Sequence, residues 1–391
     1  MFLALRDLRC ATGRFGLMGA VVALITVLLV MLSGLTAGLG NQNTAALDRL
    51  QDQGVQRLVY SGVAGQDPSV SFTQSEFPDA ARQAWADTEG VAEVNPLGIS
   101  QSRAVGVAGA LQADQSGVVD LAQLDTTGVA TAAFLGIDPD GPDAAALGSA
   151  NGGAALAPGK AALSRGVAED LGVAVGDSIV VAAVPVQVGS IVEDEFYSHS
   201  PVIWLATDDW RAISHTADPA VLGTVGLVRF AEGADAEATA DRADAAAHTT
   251  SASVRDSYAA LPSYSSENGS LMTMQGFLYG ISALVVIAFL SIWTVQRTRE
   301  IAVLKALGGS TGWVLRDALI QSGIVLALGV LVGTGAAIGL GAIAAGIVPF
   351  SLSLTTTLLP ALGVLGLGML GAGLAVARVT RIDPLVALGG N

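Results

Sequence analysis

Apolar residues along this chain gather into a few long charge-free runs, separated by one long stretch in which short apolar segments alternate with polar ones. No charged residue occurs over 15–47, and the most apolar part, 16–39, is long enough as a helix to cross a hydrocarbon core of about 30 Å. Basic residues precede this run, as they do in a secretory signal peptide. A signal peptide has an apolar region of only about 7–15 residues, however, so this longer run reads as a membrane span. A second charge-free run covers 268–296, and a third covers 318–377. The third is too long for one crossing, and Pro349, a cluster of hydroxyl residues at 351–357 and Pro360 divide it near its middle. The pattern predicts four membrane helices, at 15–39, 271–296, 317–347 and 359–378, with a short external loop at 348–358.

The stretch 40–270 between the first two spans has a different texture. β-rich runs such as SIVVAAVPVQVGSIV (178–192) and VIWLA (202–206) alternate with helix-like segments, SEFPDAARQAWADTEGV and DAEATADRADAAAHTTSASVRDSY. These predict an inserted α+β domain. Gly176-Asp177, between two apolar runs, reads as a turn into a strand, and the Gly-, Ala- and Asp-rich stretch 138–153 reads as a surface loop.

Charge orients this arrangement. Of 19 basic and 34 acidic residues, nine basic and four acidic lie outside the central block, leaving ten basic and thirty acidic within it. The basic flanks (N-terminus, second-to-third connection, C-terminus) all fall on one face of a four-span topology. The positive-inside rule makes that face cytoplasmic, with both termini inside and the acidic domain outside the cell membrane. A hydrophobic content of 51% with only 14% charged residues agrees with a membrane protein. The one cysteine, Cys10, lies beside the N-terminal arginines, so the external domain has no disulfide of its own.

The segment after the second span carries the most specific pattern. Arg297, Arg299 and Lys305 sit at the inner membrane surface, while Ile301, Val303, Leu304 and Leu307 form an apolar stripe at helical spacing and Gly308-Gly309 can end that helix sharply. By charge alone this is a membrane anchor. By its stripe it is also a knob for a cytosolic partner. The run Arg297, Arg299, Glu300, Ile301, Leu304, Lys305, Ala306, Leu307, Gly308, Gly309, Ser310 resembles the signature that follows the second membrane helix of MacB/FtsX-type ABC transporter permeases. The closing ARVTRIDPLVALGG, with Ala377, Ile382, Asp383, Pro384, Ala387 and Leu388, is similar to the family's C-terminal motif. LALRDLRCATGRFGLM is similar to its N-terminal amphipathic helix, and LSRGVAEDLGVAVGDSIVV with PVQVGSIVED to its extracytoplasmic core. The short, compact form also resembles the haem-exporting HrtB/DevC-like branch.

The resemblance implies a cytoplasmic lead-in helix at 1–14, a coupling helix and loop at 297–316 that docks into an ATPase subunit, and a cytoplasmic tail at 379–391. It also implies a homodimer served by two ATPase copies, which hold the ATP and Mg; no covalently bound cofactor or nucleic acid is expected. Within the chain, the nearest approach to a Walker A loop, 153–160, has the wrong spacing, and Ala161 follows its lysine. A literal G-x-G-x-x-G at Gly366, Gly368 and Gly371 lies inside the fourth span. With Gly363, Gly373 and the pairs Gly329/Gly333 and Gly335/Gly339, it reads as small-residue helix packing. The histidines lack H-E-x-x-H spacing, and Glu193, Asp194, Glu195 and His199 read as a solvated acidic loop. No catalytic residue stands out.

In this family the first two spans are thought to line the dimer midline. That makes Met31, Asn41, Tyr258, Tyr264, Glu267, Met272, Met274 and Gln275 the candidate substrate contacts, with Ser33, Thr36 and Gln42 nearby in sequence. Thioether, phenol and carboxylate groups beside an apolar wall suit haem, whose iron could take Met31, Met272, Met274 or Glu267 as a ligand. The resemblance leaves open an FtsX-like signalling permease that activates an extracellular cell-wall hydrolase, and an exporter of lipid, peptide or drug.

Overall fold

The computed structural model describes residues 12–63, 66–111, 119, 124–150, 156–216, 218–296 and 311–379. They fall into two compact units, Gly40–Ser266 and Met1–Leu39 with Glu267–Asn391.

Helix α1 (Thr12–Asp52) is followed by β1 (Arg57–Tyr60), β2 (Phe77–Pro78), α2 (Asp79–Ala86), β3 (Val91–Val107) and β4 (Thr126–Ile137). Next come α3 (Pro142–Ala150), β5 (Lys160–Ser164), α4 (Arg165–Leu171), β6 (Ser178–Val181), β7 (Val184–Val192), β8 (Phe196–Tyr197) and β9 (Ser200–Ala206). The domain is completed by α5 (Thr207–Ile213), β10 (Val221–Gly223), β11 (Val225–Phe230), α6 (Ala236–Ala247), β12 (Thr250–Ser253) and a 3-10 turn (Asp256–Ala260). Three long helices follow: α7 (Pro262–Gln296), α8 (Thr311–Ala344) and α9 (Leu354–Val379).

The domain is an α+β fold organised by the long strand β3. One sheet runs β12-β1-β11-β3-β4-β9-β5-β7-β6, antiparallel except for the β4–β9 and β5–β7 pairs. The far end of β3 also pairs with β6, Ala104 opposite Val181, which closes β3, β4, β9, β5, β7 and β6 into a ring whose strands share a buried apolar core. A second core holds Trp204, Leu135 and Tyr60 together with Ala46, Leu47 and Leu50 of α1. Gly98 of β3 faces Gly136 of β4, and a side chain on either would run into the Trp210 ring, so the two glycines make the slot in which α5 docks.

Two stretches differ from expectation. The stretch 138–153 is not all loop: Pro142–Ala150 is helix α3, with Ala144 and Leu147 in the core. Its alanines favour helix, and the buried carboxylate of Asp143 is neutralised by Arg229, distant in sequence. The long polar segment from Asp235 is helical only to Ala247. His248 turns out of the helix with φ 51°, and Thr250–Ser253 extends the sheet as an edge strand on β1.

In the membrane unit, Phe15, Met18, Val22, Ile25 and Leu29 recur on one face of α1 and pack with Leu326 and Val330 of α8 and Val364 and Ala372 of α9. Gly329 and Gly333 have no room for a side chain, because a Cβ would meet the Gly19 and Ala23 carbonyls. Gly368 packs against Leu326 and Gly371 against Ile287. Gly335, Gly339, Gly366 and Gly373 have open space instead, so the small-residue pattern serves packing on one helix face only. The connection from α8 returns onto α1: Gly38 abuts the Pro349 carbonyl, and the Ser351 N–H donates to the Gly34 carbonyl at 3.0 Å. Helix α9 starts at Leu354, inside the stretch assigned to a loop, because the Ser353 hydroxyl caps the Thr356 N–H at 3.1 Å. Pro360 is accommodated inside this helix.

Candidate functional site

In the external domain, polar side chains concentrate where the end of α1 meets the β8–β9 hairpin. The hairpin turns through Ser198 (φ 49°) and His199 (φ 63°), a two-residue loop with both residues left-handed. Residues other than glycine pay roughly 1–2 kcal/mol each for that conformation. Docking offsets the strain. The Ser198 and His199 N–H groups donate to the carbonyls of Asn43 (3.0 Å) and Gln42 (2.8 Å). The buried Asn43 amide places Nδ2 3.1 Å from His199 Nε2 and accepts from the Ser263 hydroxyl at 2.5 Å. The other ring nitrogen of His199 lies 3.4 Å from Gln42 Oε1.

One turn further along α1, Asp48 accepts hydrogen bonds from the Thr44 hydroxyl at 2.8 Å and from the Tyr258 phenol. Tyr258 and Tyr264 meet edge to face with ring centroids 5.6 Å apart. Burial pushes the Tyr258 phenol above its ordinary range, and the Asp48 carboxylate adds to the effect. Next along α1, Arg49 pairs with Glu195, whose other oxygen accepts the Trp204 indole N–H at 2.9 Å. The acidic run is therefore solvated only in part. Glu193 is exposed, Asp194 takes the Gly166 N–H at 2.8 Å, and Glu195 is only 8% exposed because arginine and indole replace its water. Among the described residues no group of three or more His, Cys, Asp or Glu side chains is placed to hold a metal ion. Nothing in the sequence pointed to the Arg49–Glu195–Trp204 and Asn43–His199–Ser263 sets, whose members lie far apart along the chain.

The candidate substrate contacts divide between the two units. Tyr258 and Tyr264 come together in the domain, where Asn41 is exposed. In the membrane unit Met31 and Glu267 are half-buried, and Gln275 Nε2 lies 3.5 Å from Thr36 Oγ1, which brings α1 and α7 side by side. Met272 and Met274 are 60% and 54% exposed. Met274, Phe277, Ile281 and Leu284 recur every three or four residues and form one bare apolar stripe on α7. Only 11% of this second span is buried, against 33–39% of the other three. The coupling residues Arg297, Arg299, Glu300, Ile301, Leu304, Lys305, Ala306, Leu307, Gly308 and Gly309 lie outside the described residues, as do the lead-in at 1–11 and the closing motif at 382–388.

Family models match the chain in two places: the MacB-like periplasmic core domain over residues 16–246, and the FtsX-like permease C-terminal over residues 272–384. A putative hemin transport system permease protein HrtB of Staphylococcus haemolyticus is 33% identical over 130 residues, covering 33% of this chain and 37% of that protein. The chain thus spans little more than a third of the length of the HrtB relatives it matches. An uncharacterized ABC transporter permease of Mycobacterium tuberculosis is 26% identical over 395 residues, covering 100% of this chain and 99% of that protein. Among solved structures, the periplasmic region of MacB from Actinobacillus actinomycetemcomitans superposes with a TM-score of 0.32 at 10% identity, over 52% of this chain and 90% of that one.

Proposed function

The chain belongs to the MacB/FtsX-like family of ABC transporter permeases, and from that premise we propose that it exports an amphiphile, haem, drawn from the membrane by ATP hydrolysis on a separate subunit. The observation that carries this proposal is the bare stripe of α7. Three spans bury a third or more of their residues, while the second leaves Met274, Phe277, Ile281 and Leu284 more than half exposed. A second copy meeting this face would form an apolar midline wall to which each copy gives one aromatic ring and one thioether. Such a wall buries a porphyrin ring and offers soft donors to its iron. The similarity to HrtB supports haem among amphiphiles.

In this scheme both termini are cytoplasmic and two ATPase copies grip the 297–309 segments of a homodimer. Their closure on ATP moves the spans. Helices α1 and α7 are each one continuous element beyond the span, so that motion reaches the external domain. Met31, Met272, Met274 and Glu267 are the iron-ligand candidates, with Tyr258, Tyr264, Asn41 and Gln275 as further contacts.

The test is a haem titration of the permease–ATPase complex in nanodiscs, following the Soret band and ATP hydrolysis together. A saturable spectral change that stimulates hydrolysis and weakens in Met274→Ala or Met272→Ala is expected. Absence of saturable binding would refute haem as the cargo. Cysteine at Ile281 should cross-link two copies if the stripe lies at the midline.

A further inference from the structure

Away from that stripe, the membrane unit carries a groove of about 510 Å³ between α8 and α9. Its floor is one face of α8, with Leu319, Ile320, Gly323, Ile324 and Ala327 at helical spacing, and Met369 of α9 forms the opposite wall. At one end stands Arg316, one turn ahead of the span Leu319–Ala344. Among the described residues no carboxylate pairs with Arg316. Its neighbour Asp317 is engaged by the Gln321 amide at 2.8 Å. Gly312, one turn before Arg316 on the same face, lines the groove too and has open space where a side chain would stand.

These features describe the occupant. From Arg316 to Ala327 the helix covers about 16 Å at 1.5 Å per residue, roughly half of a 30 Å hydrocarbon core. The groove therefore starts with a cation at the membrane surface and runs apolar to the depth of one leaflet. Gly323 lets Met369 lie close against α8: a Cβ there would sit 3.4 Å from Met369 Sδ, in ordinary contact, so a larger side chain would crowd Met369 and the groove beside it. A ligand with one anionic head and a long aliphatic tail matches both the charge and the length, and basic pockets between membrane helices recognise such headgroups. We infer that this groove is a binding site for an anionic glycerophospholipid, with the phosphate on Arg316 and an acyl chain along Gly323 and Met369. The site is separate from the α7 stripe and stands whether or not haem is the cargo.

Native mass spectrometry of the full chain in mild detergent, titrated with phosphatidylglycerol or phosphatidylcholine of the same chain length, tests the inference. The parent protein should retain phosphatidylglycerol about fivefold more tightly, the effect of one interfacial arginine. Arg316→Gln should abolish the preference and Arg316→Lys should keep most of it. Gly323→Leu, with the charge intact, should weaken retention of both lipids. Melting curves of each variant check that it is folded. Equal retention of the two lipids by the parent, or a preference that survives Arg316→Gln, would overturn the site. Displacement of phosphatidylglycerol by haem, with haem binding lost in Gly323→Leu, would assign the groove to the cargo and overturn it equally.

Discussion

Replacing Arg49 by Met separates the worth of a buried charge from that of its partner. Glu195 is 8% exposed and is held by two groups, the Arg49 guanidinium and the Trp204 indole N–H. Removing Arg49 leaves a carboxylate with one neutral donor in a site that excludes water. Breaking a fully buried pair in this way costs about 3–5 kcal/mol. The Arg49 side chain is 21% exposed, so some water already screens the pair, and about 2–3 kcal/mol is expected. For a unit of this size each kcal/mol lowers Tm by roughly 2–4 °C, giving a drop of about 5–10 °C. Glu195→Gln is the milder change. Its amide oxygen still accepts from Trp204, and Arg49 reaches water, so about 1 kcal/mol is lost. The double variant should melt near Glu195→Gln alone. The assay is tryptophan fluorescence during heating of the full chain in detergent, with Trp204 beside the perturbation. An Arg49→Met protein that melts no lower than Glu195→Gln would refute the assignment of Glu195 as a buried, charge-compensated carboxylate.

Three further outcomes follow from the packing and the titrating groups. Gly98→Ala drives a methyl group into the Trp210 ring that Gly136 also supports. It should destabilise the domain by about 3 kcal/mol, the upper end for overpacking, with partial recovery when Trp210 is also changed to Leu, read as denaturant midpoints. Gly38→Leu meets the Pro349 backbone, which cannot yield as a side chain can, and should remove the monodisperse peak in size-exclusion chromatography; Gly335→Leu, facing open space, should not. Burial raises the Asp209 carboxyl above the usual range against an opposing hydrogen bond from the Gly159 N–H. The folded chain thus binds this proton more tightly than the unfolded chain, so ionised Asp209 lowers stability at neutral pH and the penalty fades as pH falls through the raised pKa. Asp209→Asn should raise Tm at pH 7 and lose that advantage only below about pH 3, where the carboxyl is largely protonated in the folded and the unfolded chain alike.

Much of the architecture was legible because it follows from one-dimensional rules. A bilayer demands apolar runs of a certain length with backbone groups satisfied inside each helix, so charge-free stretches report spans directly. The alternation within 40–270 likewise announced strands and helices, and the 178–192 run became the β6–β7 hairpin. Helix α3 escaped notice because Gly, Ala and Asp also mark loops, and its buried Asp143 is tolerable only beside Arg229. The glycine pairs of the third span looked equivalent in sequence, yet Gly329 and Gly333 face α1 while Gly335 and Gly339 face away.

The sequence by itself determined that the chain spans a membrane four times, that it carries an α+β domain between the first two spans, and that it resembles a particular permease family. Each of these depends on local composition, period and contiguous motif. Only the tertiary structure decided that Arg49 and Trp204 neutralise Glu195, that a strained Ser198-His199 turn rests on Asn43, that α7 keeps a bare stripe, and that Arg316 heads an apolar groove. The reason is physical: burial and partnership are properties of neighbours in space, and these neighbours come from segments that no sequence spacing relates.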